Sequence, residues 1–414
     1  MVKYSSYKSS GIEWIGDIPE NWNISKLKNL FENRNEKNVK LENNFLSILK
    51  DKGVIPYSEK GNVGNKTSDD ISKYKKVYFG DIVINPMNII IGSVGLSKYD
   101  GVLSNVYIVL KSKNINSNFG SYVFQSKGFQ QHLKKICYGI MELRESLNKI
   151  EFFVEKIPLP NFQEQEHIVK YLDDKTSIID KLISIKERKI GLLKEQRTSL
   201  INEVITKGLN LNVKMKESGV EWIGEIPERW SVKKMKYCLK MISEKKEVSK
   251  DDIKISPENV ENGTGVCFNF YSDYTGEGMK FIKGDILLNK LRIYLKKILI
   301  TENEGFSMGE MIVLRTTDGI NKYYYYTLFN QGLIDLLNNQ STGVKLPRVS
   351  PETILNSYII FPPIEEQIEI VEYIDLHSKD IDDLVSMEKN KIELLKEYRQ
   401  SLISEVVTGK IKVV

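Results

Sequence analysis

The twelve residues GIEWIGDIPENW, Gly11 to Trp22, return as GVEWIGEIPERW from Gly219, with nine of twelve positions identical at an offset of 208. An internal repeat governs every later reading of a chain, because a missed period misassigns the whole fold. Further pairs keep the same order. KIGLLKEQRTSLINEVIT (Lys189 to Thr206) returns as KIELLKEYRQSLISEVVT (Lys391 to Thr408), with thirteen of eighteen positions identical at an offset of 202. Between them lie FGDIVIN (Phe79 to Asn85) against KGDILLN (Lys283 to Asn289), and QEQEHIVKYLD (Gln163 to Asp173) against EEQIEIVEYID (Glu365 to Asp375). The 414 residues are therefore a tandem duplication, long enough for each copy to bury its own core.

Each copy reads in three parts. A tryptophan-rich opening turn holds Trp14, Trp22, Trp222 and Trp230, all the tryptophans of the chain. Large indoles of this kind staple a turn onto a core, with base stacking as the alternative use. A variable body follows. Its apolar runs of five to eight residues, such as KKVYFGDIVIN and MIVLR, are separated by turn residues and predict strands and hairpins. FGSYVFQSKGFQQHLKKI and INKYYYYTLFNQGLIDLLNN carry helical spacing instead. The body is thus an α+β domain with a curved or barrel-like sheet and helices packed on it.

The third part, about Phe162 to Lys207 and Ile364 to Gly409, has no internal proline or glycine except Gly191 and repeats apolar residues every three to four positions. In the second copy these are Ile381, Leu384, Leu395, Tyr398, Leu402 and Val406, interrupted by Glu388 and Lys391. Such a stripe on a long helix has to face something, and its own duplicate in an antiparallel coiled coil is the simplest partner. Two separate helices, each on its own domain, are the alternative. The resulting boundaries are 1–161, 162–210, 211–363 and 364–414. The surface offered to the opposite helix or to a partner is Leu192, Leu193, Leu200, Val204, Leu394, Leu395, Leu402 and Val406.

Charge excludes little: the net charge is +5, so the placement of lysines matters more than their number. Three isolated cysteines without CxxC spacing argue against a disulfide framework or zinc site and for a reducing compartment. No apolar run is long enough to span a membrane and the first residues lack a signal-peptide core, so the expected location is cytoplasmic.

The duplicated opening turns, the YFGDIVIN and IKGDILLN pair, the LPNFQEQEHIV and FPPIEEQIEIV segments and the LLKEQRTSLINEVITKG and LLKEYRQSLISEVVTGK helices together resemble the specificity subunits of type I restriction-modification systems. The likeness covers essentially the whole chain. It implies two tandem α+β target-recognition domains related by a pseudo-twofold, joined by two long antiparallel helices that set the spacing between the halves of a split DNA target. It also implies double-stranded DNA, two methyltransferase subunits and restriction/translocase subunits as partners. Those partners are expected to use S-adenosylmethionine, ATP and Mg, with no cofactor in this chain. Closely matched segments would then be scaffold, and the dissimilar Asp51 to Lys73 and Pro257 to Gly278 would read bases.

Most contacts to a duplex go to phosphates and a few go to base edges. Candidates in the first body are Lys73, Lys75 and Lys76 of KYKK, Asn85 and Asn88 after the Gly-Asp turn, and Arg144. In the second they are Asn289, Lys290, Arg292, Lys296, Lys297, Lys345 and Arg348. Asn85 matches Asn289 and Arg144 matches Arg348 at an offset of 204. The loop Asn62 to Asp70 offers amides and hydroxyls to bases, or is plain turn chemistry.

Catalytic signals are missing. FPPI lacks the flanks of an amino-methyltransferase motif, there is no GxxxxGK[ST] phosphate loop, and His132, His167 and His377 are scattered. A noncatalytic recognition subunit follows best. A self-contained methyltransferase or nuclease and a duplicated coiled-coil scaffold without DNA binding are the alternatives.

Overall fold

The computed structural model describes residues 3–50, 52–61, 70–139, 145–268, 275–343 and 345–413. The chain divides into two compact units, Met1–Lys186 with Asn390–Val414, and Glu187–Lys389. Both divisions fall inside a long helix. Each unit is therefore one body plus opposite halves of the two helices, which run Phe162–Lys207 (the central helix) and Ile364–Val407 (the C-terminal helix).

The opening turn is the same hairpin in both units: Tyr7–Ser9 pairs antiparallel with Asp17–Pro19, and Met215–Glu217 with Glu225–Pro227. The repeated Ile-Gly dipeptide closes its loop, since Gly16 and Gly224 both sit at φ +67°, where a side chain is strained. Trp22 and Trp230 are buried to 0% and 1% exposure. An indole of roughly 200 Å² removed from water is worth about 5 kcal/mol, so these two side chains anchor the turn by packing. Against Trp22 lies Gly409, at the end of the C-terminal helix, and against Trp230 lies Gly208, at the end of the central helix. Both glycines terminate their helix in the left-handed conformation at φ +74°.

The bodies share a four-stranded antiparallel sheet. In the first unit its order is Phe31–Asn33, Ile108–Ser112, Ile82–Ile84, Val94–Leu96, and in the second Leu239–Ile242, Met311–Thr316, Ile286–Asn289, Ile298–Ile300. Helices Ser117–Gln125 and Lys127–Leu133 accompany the first, Asn321–Phe329 and Gln331–Asn339 the second. The remaining β structure is related but less regular in the first unit. There Lys75–Val77 pairs antiparallel with Gly101–Leu103, single bridges join Lys37 to Lys75 (antiparallel) and Phe45 to Val102 (parallel), and Leu46–Leu49 continues into a ribbon with Gly53–Pro56. The second has one four-stranded sheet in the order Lys245–Val248, Gly276–Phe281, Gly305–Ser307, Lys254–Ile255.

Each core draws on both long helices. Ile168, Leu172 and Ile179 of the central helix join Leu402, Ile403, Val406 and Val407 of the C-terminal helix in the first core. Ile201, Val204 and Ile205 join Ile370, Val371 and Ile374 in the second. The helices run antiparallel in each unit: Asp180 faces Arg399 in one, and Lys189 and Arg197 face Glu388 and Asp382 in the other. The apolar stripe covers only part of the contact between the helices. Leu384, Tyr398, Leu192 and Leu394 are exposed, and a small cluster of Leu193, Ile381 and Val385 is flanked by ion pairs. The apolar faces of the helices are directed largely at the bodies, which leaves charge to line much of the contact between the rods.

Candidate nucleic-acid interface

The repeated Gly-Asp turn is a scaffold element. Gly80 and Gly284 take φ of +84° and +90°, and the following aspartates, Asp81 and Asp285, fold back to accept the N–H of Tyr78 at 3.0 Å and of Ile282 at 2.9 Å. Both carboxylates are buried and each is gripped by an arginine through two nitrogens. Arg34 reaches Asp81 at 2.7 and 3.1 Å, and Arg315 reaches Asp285 at 2.7 Å twice. The carboxylate raises Arg315 further above its ordinary pKa through that hydrogen bonding.

From this turn the inner strand runs to Asn85 in one unit and Asn289 in the other. Asn85 accepts the N–H of Met87 at 3.1 Å; Asn289 accepts that of Leu291 at 3.2 Å and donates to the Leu291 carbonyl at 2.8 Å. Their amides shape the next loop. That loop is tied to a second one by matching bonds, Leu147 N–H to Pro86 O at 2.9 Å and Val349 N–H to Lys290 O at 3.0 Å. Each unit thus sets two loops side by side at the end of its inner strand.

In the second unit these loops gather cations. Arg292 N–H donates to Pro347 O at 2.7 Å, and Thr342 and Arg348 exchange backbone bonds at 2.9 Å. Lys290, Arg292, Lys345 and Arg348 come into one neighbourhood, with Glu310 paired to Arg348 and, at 3.3 Å, to Lys290. Arg292, Lys345 and Arg348 are exposed. In the first unit the basic residues are more dispersed. Lys73 is exposed and pairs with Asp70, Lys76 pairs with Glu42 at 2.8 Å and Glu36 at 3.7 Å, and Asn88 is exposed on the loop after Asn85. Arg144 and Asn62 to Asp69 lie outside the described residues.

Three candidates turn inward. Lys75 is 6% exposed and donates to Tyr107 O at 2.6 Å; burial pushes its ammonium down to about 8. Lys296 donates to Phe329 O at 2.9 Å and is lowered by the same cause, and Lys297 donates to Pro257 O. The reason at Lys296 is local backbone: Arg292 and Lys296 sit at φ +52° and +48° around a single 3-10 turn, Ile293–Leu295, which carries the chain back into the body.

Repeated residues with larger structural duties escaped the sequence reading. Gln165 and Gln367, 2% and 0% exposed, each clamp a helix start. Gln165 accepts the N–H of Asn116 and donates to Pro160 O, and Gln367 accepts that of Ile320 and donates to Pro362 O. Tyr122 donates to Asp173 at 2.6 Å, and Tyr326 to Asp375. Their signal was identity at matched positions of the two copies, which apolar periodicity does not weigh.

Chemically, the exposed Arg292, Lys345 and Arg348 and the Asn88 amide offer cations and a donor suited to a polyanion. Among the described residues there is no group of three or more His, Cys, Asp or Glu that could hold a metal ion, and no helix long and apolar enough to cross a membrane.

A model of the family described as type I restriction modification DNA specificity domain matches residues 19–194 and again 227–394. The putative type I restriction enzyme MjaX specificity subunit of Methanocaldococcus jannaschii is 25% identical over 434 residues, spanning 96% of both chains. The MjaVIII specificity subunit of the same organism is 26% identical over 369 residues, spanning 83% of both. A solved chain from work on complex assembly and conformational transition of the type I R-M system is similar at a TM-score of 0.68 with 14% identity, over 95% of this chain and 99% of that one.

Proposed function

The chain belongs to the family of the type I restriction modification DNA specificity domain, and we propose that it acts as the DNA sequence-specificity subunit of a type I restriction-modification complex. Each body binds one half of a bipartite target. The observation that carries this reading is the double match: the family model covers residues 19–194 and 227–394, one match beginning in each copy of the duplicated opening turn.

The chain supplies recognition, and chemistry comes from its partners. Two methyltransferase subunits and the restriction/translocase subunits bring S-adenosylmethionine, ATP and Mg, and this chain directs them to the target. The shared four-stranded sheet and the Gly-Asp turn serve as common framework, and the dissimilar segments Asp51 to Lys73 and Pro257 to Gly278 carry the difference in sequence read. In the second unit the cluster of Lys290, Arg292, Lys345 and Arg348 contributes phosphate contacts, which fix register on a duplex without carrying sequence information.

The test is co-expression of the chain with its methyltransferase in a host lacking adenine methylation, followed by single-molecule sequencing. A split motif with a constant gap supports the reading. A stable complex that modifies no DNA, or a continuous motif, would sink it.

A further inference from the structure

Arg197 and Arg399 occupy one position of the duplicated helix sequence, in LLKEQRTSL and LLKEYRQSL, yet they do different things. Arg399 makes an ordinary helix-to-helix pair, donating to both oxygens of Asp180 at 2.9 and 3.4 Å. Arg197 faces the matching carboxylate, Asp382, at 3.9 Å, too far for a hydrogen bond. Its Nε is buried with no acceptor among the described residues. The side chain, 11% exposed, lies beside the Phe329 ring at 5.9 Å and donates from Nη1 to the Gly263 carbonyl at 3.4 Å.

At 3.9 Å the guanidinium keeps its Coulombic attraction to Asp382 without a hydrogen bond, so its donors turn elsewhere. Besides the Tyr325 hydroxyl, Arg197 holds a loop. Residues 259–268 close on themselves through Glu261 N–H to Val266 O and Phe268 N–H to Asn259 O, both at 2.9 Å, and through Thr264 Oγ1 to Glu261 at 3.0 Å. Gly263 also donates its N–H to Lys296 O at 3.2 Å, and Gly265, at φ +75°, presses against the Tyr325 hydroxyl. This loop lies in the stretch of the second body that has little likeness to the first. The departure of Arg197 from the repeat thus coincides with the departure of the segment it touches.

We propose that Arg197 is a positioning residue for base recognition by the second body, fixing the 259–268 loop to the central helix through the Gly263 carbonyl. The proposal rests on the reading above, in which this dissimilar segment reads DNA.

Motif mapping of the full complex tests it, with R197M and R197K compared against R399M and the loop variant E261A/T264A. R197M is expected to assemble normally and to keep the first half-site, while discrimination at one or more positions of the second half-site falls by about tenfold. R197K, which keeps a cation but not the planar donor fork, should fall between R197M and the parent. R399M should leave both half-sites unchanged. An unaltered motif in R197M, with an altered one in E261A/T264A, would overturn the role of Arg197 and leave the loop as a reader. Unaltered motifs in both would remove the loop as well. Loss of discrimination at both half-sites together, or failure of both R197M and R197K to assemble, would mean a merely structural arginine.

Discussion

Removing Arg315 is expected to cost more than removing the aspartate it pairs with. The side chain of Asp285 is 2% exposed and that of Arg315 is 32% exposed. In R315M the carboxylate stays buried with the Ile282 N–H but without its arginine, and stranding one member of a buried pair costs about 3–5 kcal/mol. In D285A the arginine can swing toward water, which leaves the lost pair and an orphaned Ile282 N–H, about 2–3 kcal/mol. At about 2–4 °C per kcal/mol for a unit of this size, R315M should melt about 6–20 °C lower, and D285A about 4–12 °C lower. The double variant should resemble D285A, because no charge is then left stranded. Calorimetry of the full chain gives the ordering, and hydrogen exchange across 282–289 and 78–85 assigns the loss to the second unit. If R315M were milder than D285A, or the double variant as bad as the sum, the pair would not be the buried clamp inferred from its geometry.

G208A and G409A each put a methyl at φ +74° against an aromatic or proline ring, so each should lose at least about 1–2 kcal/mol of stability, seen as a lower melting temperature. Lys75 has its folded pKa lowered to about 8 from 10.5, so the unfolded chain holds the extra proton between those values and stability should rise with pH across that window; K75M should abolish the rise in denaturant titrations. K345E/R348E should weaken binding to duplex DNA and reduce the slope of log affinity against log salt by about 2 in anisotropy titrations, and an unchanged slope would take both residues off the interface.

The duplication made the framework legible. Gly11 to Trp22 and Gly219 to Trp230 announced the same hairpin, and the absence of proline from 162–207 announced a helix that begins at Phe162 and ends at Lys207. Burial patterns were less readable, because Leu192, Leu384 and Leu394 fit an apolar stripe by spacing while tertiary contact decides which side of the helix is covered. The cations were the hardest. Lys75 and Lys76 are adjacent in sequence, yet pleating sends one ammonium to the Tyr107 carbonyl inside the body and the other to Glu36 and Glu42. Composition treats both as surface charge. Arg292 and Lys296 needed positive φ angles that nothing in NKLRIYLKK advertises, since neither is a glycine.

Asp81 and Asp285 stand at one inherited address, but their counter-ions do not. The sheet register sets Arg34 opposite Val109 and Arg315 opposite Lys240, so the first unit draws its arginine from the end of the outer strand and the second from the neighbouring one. Ile242 fills the place of Arg34 in the second copy, and Lys111 that of Arg315 in the first. Descent has kept the acidic residue and let the copies part over which strand answers it. Between two copies of one framework, such latitude means that the framework constrains a position and a charge, while the strand that answers it can differ.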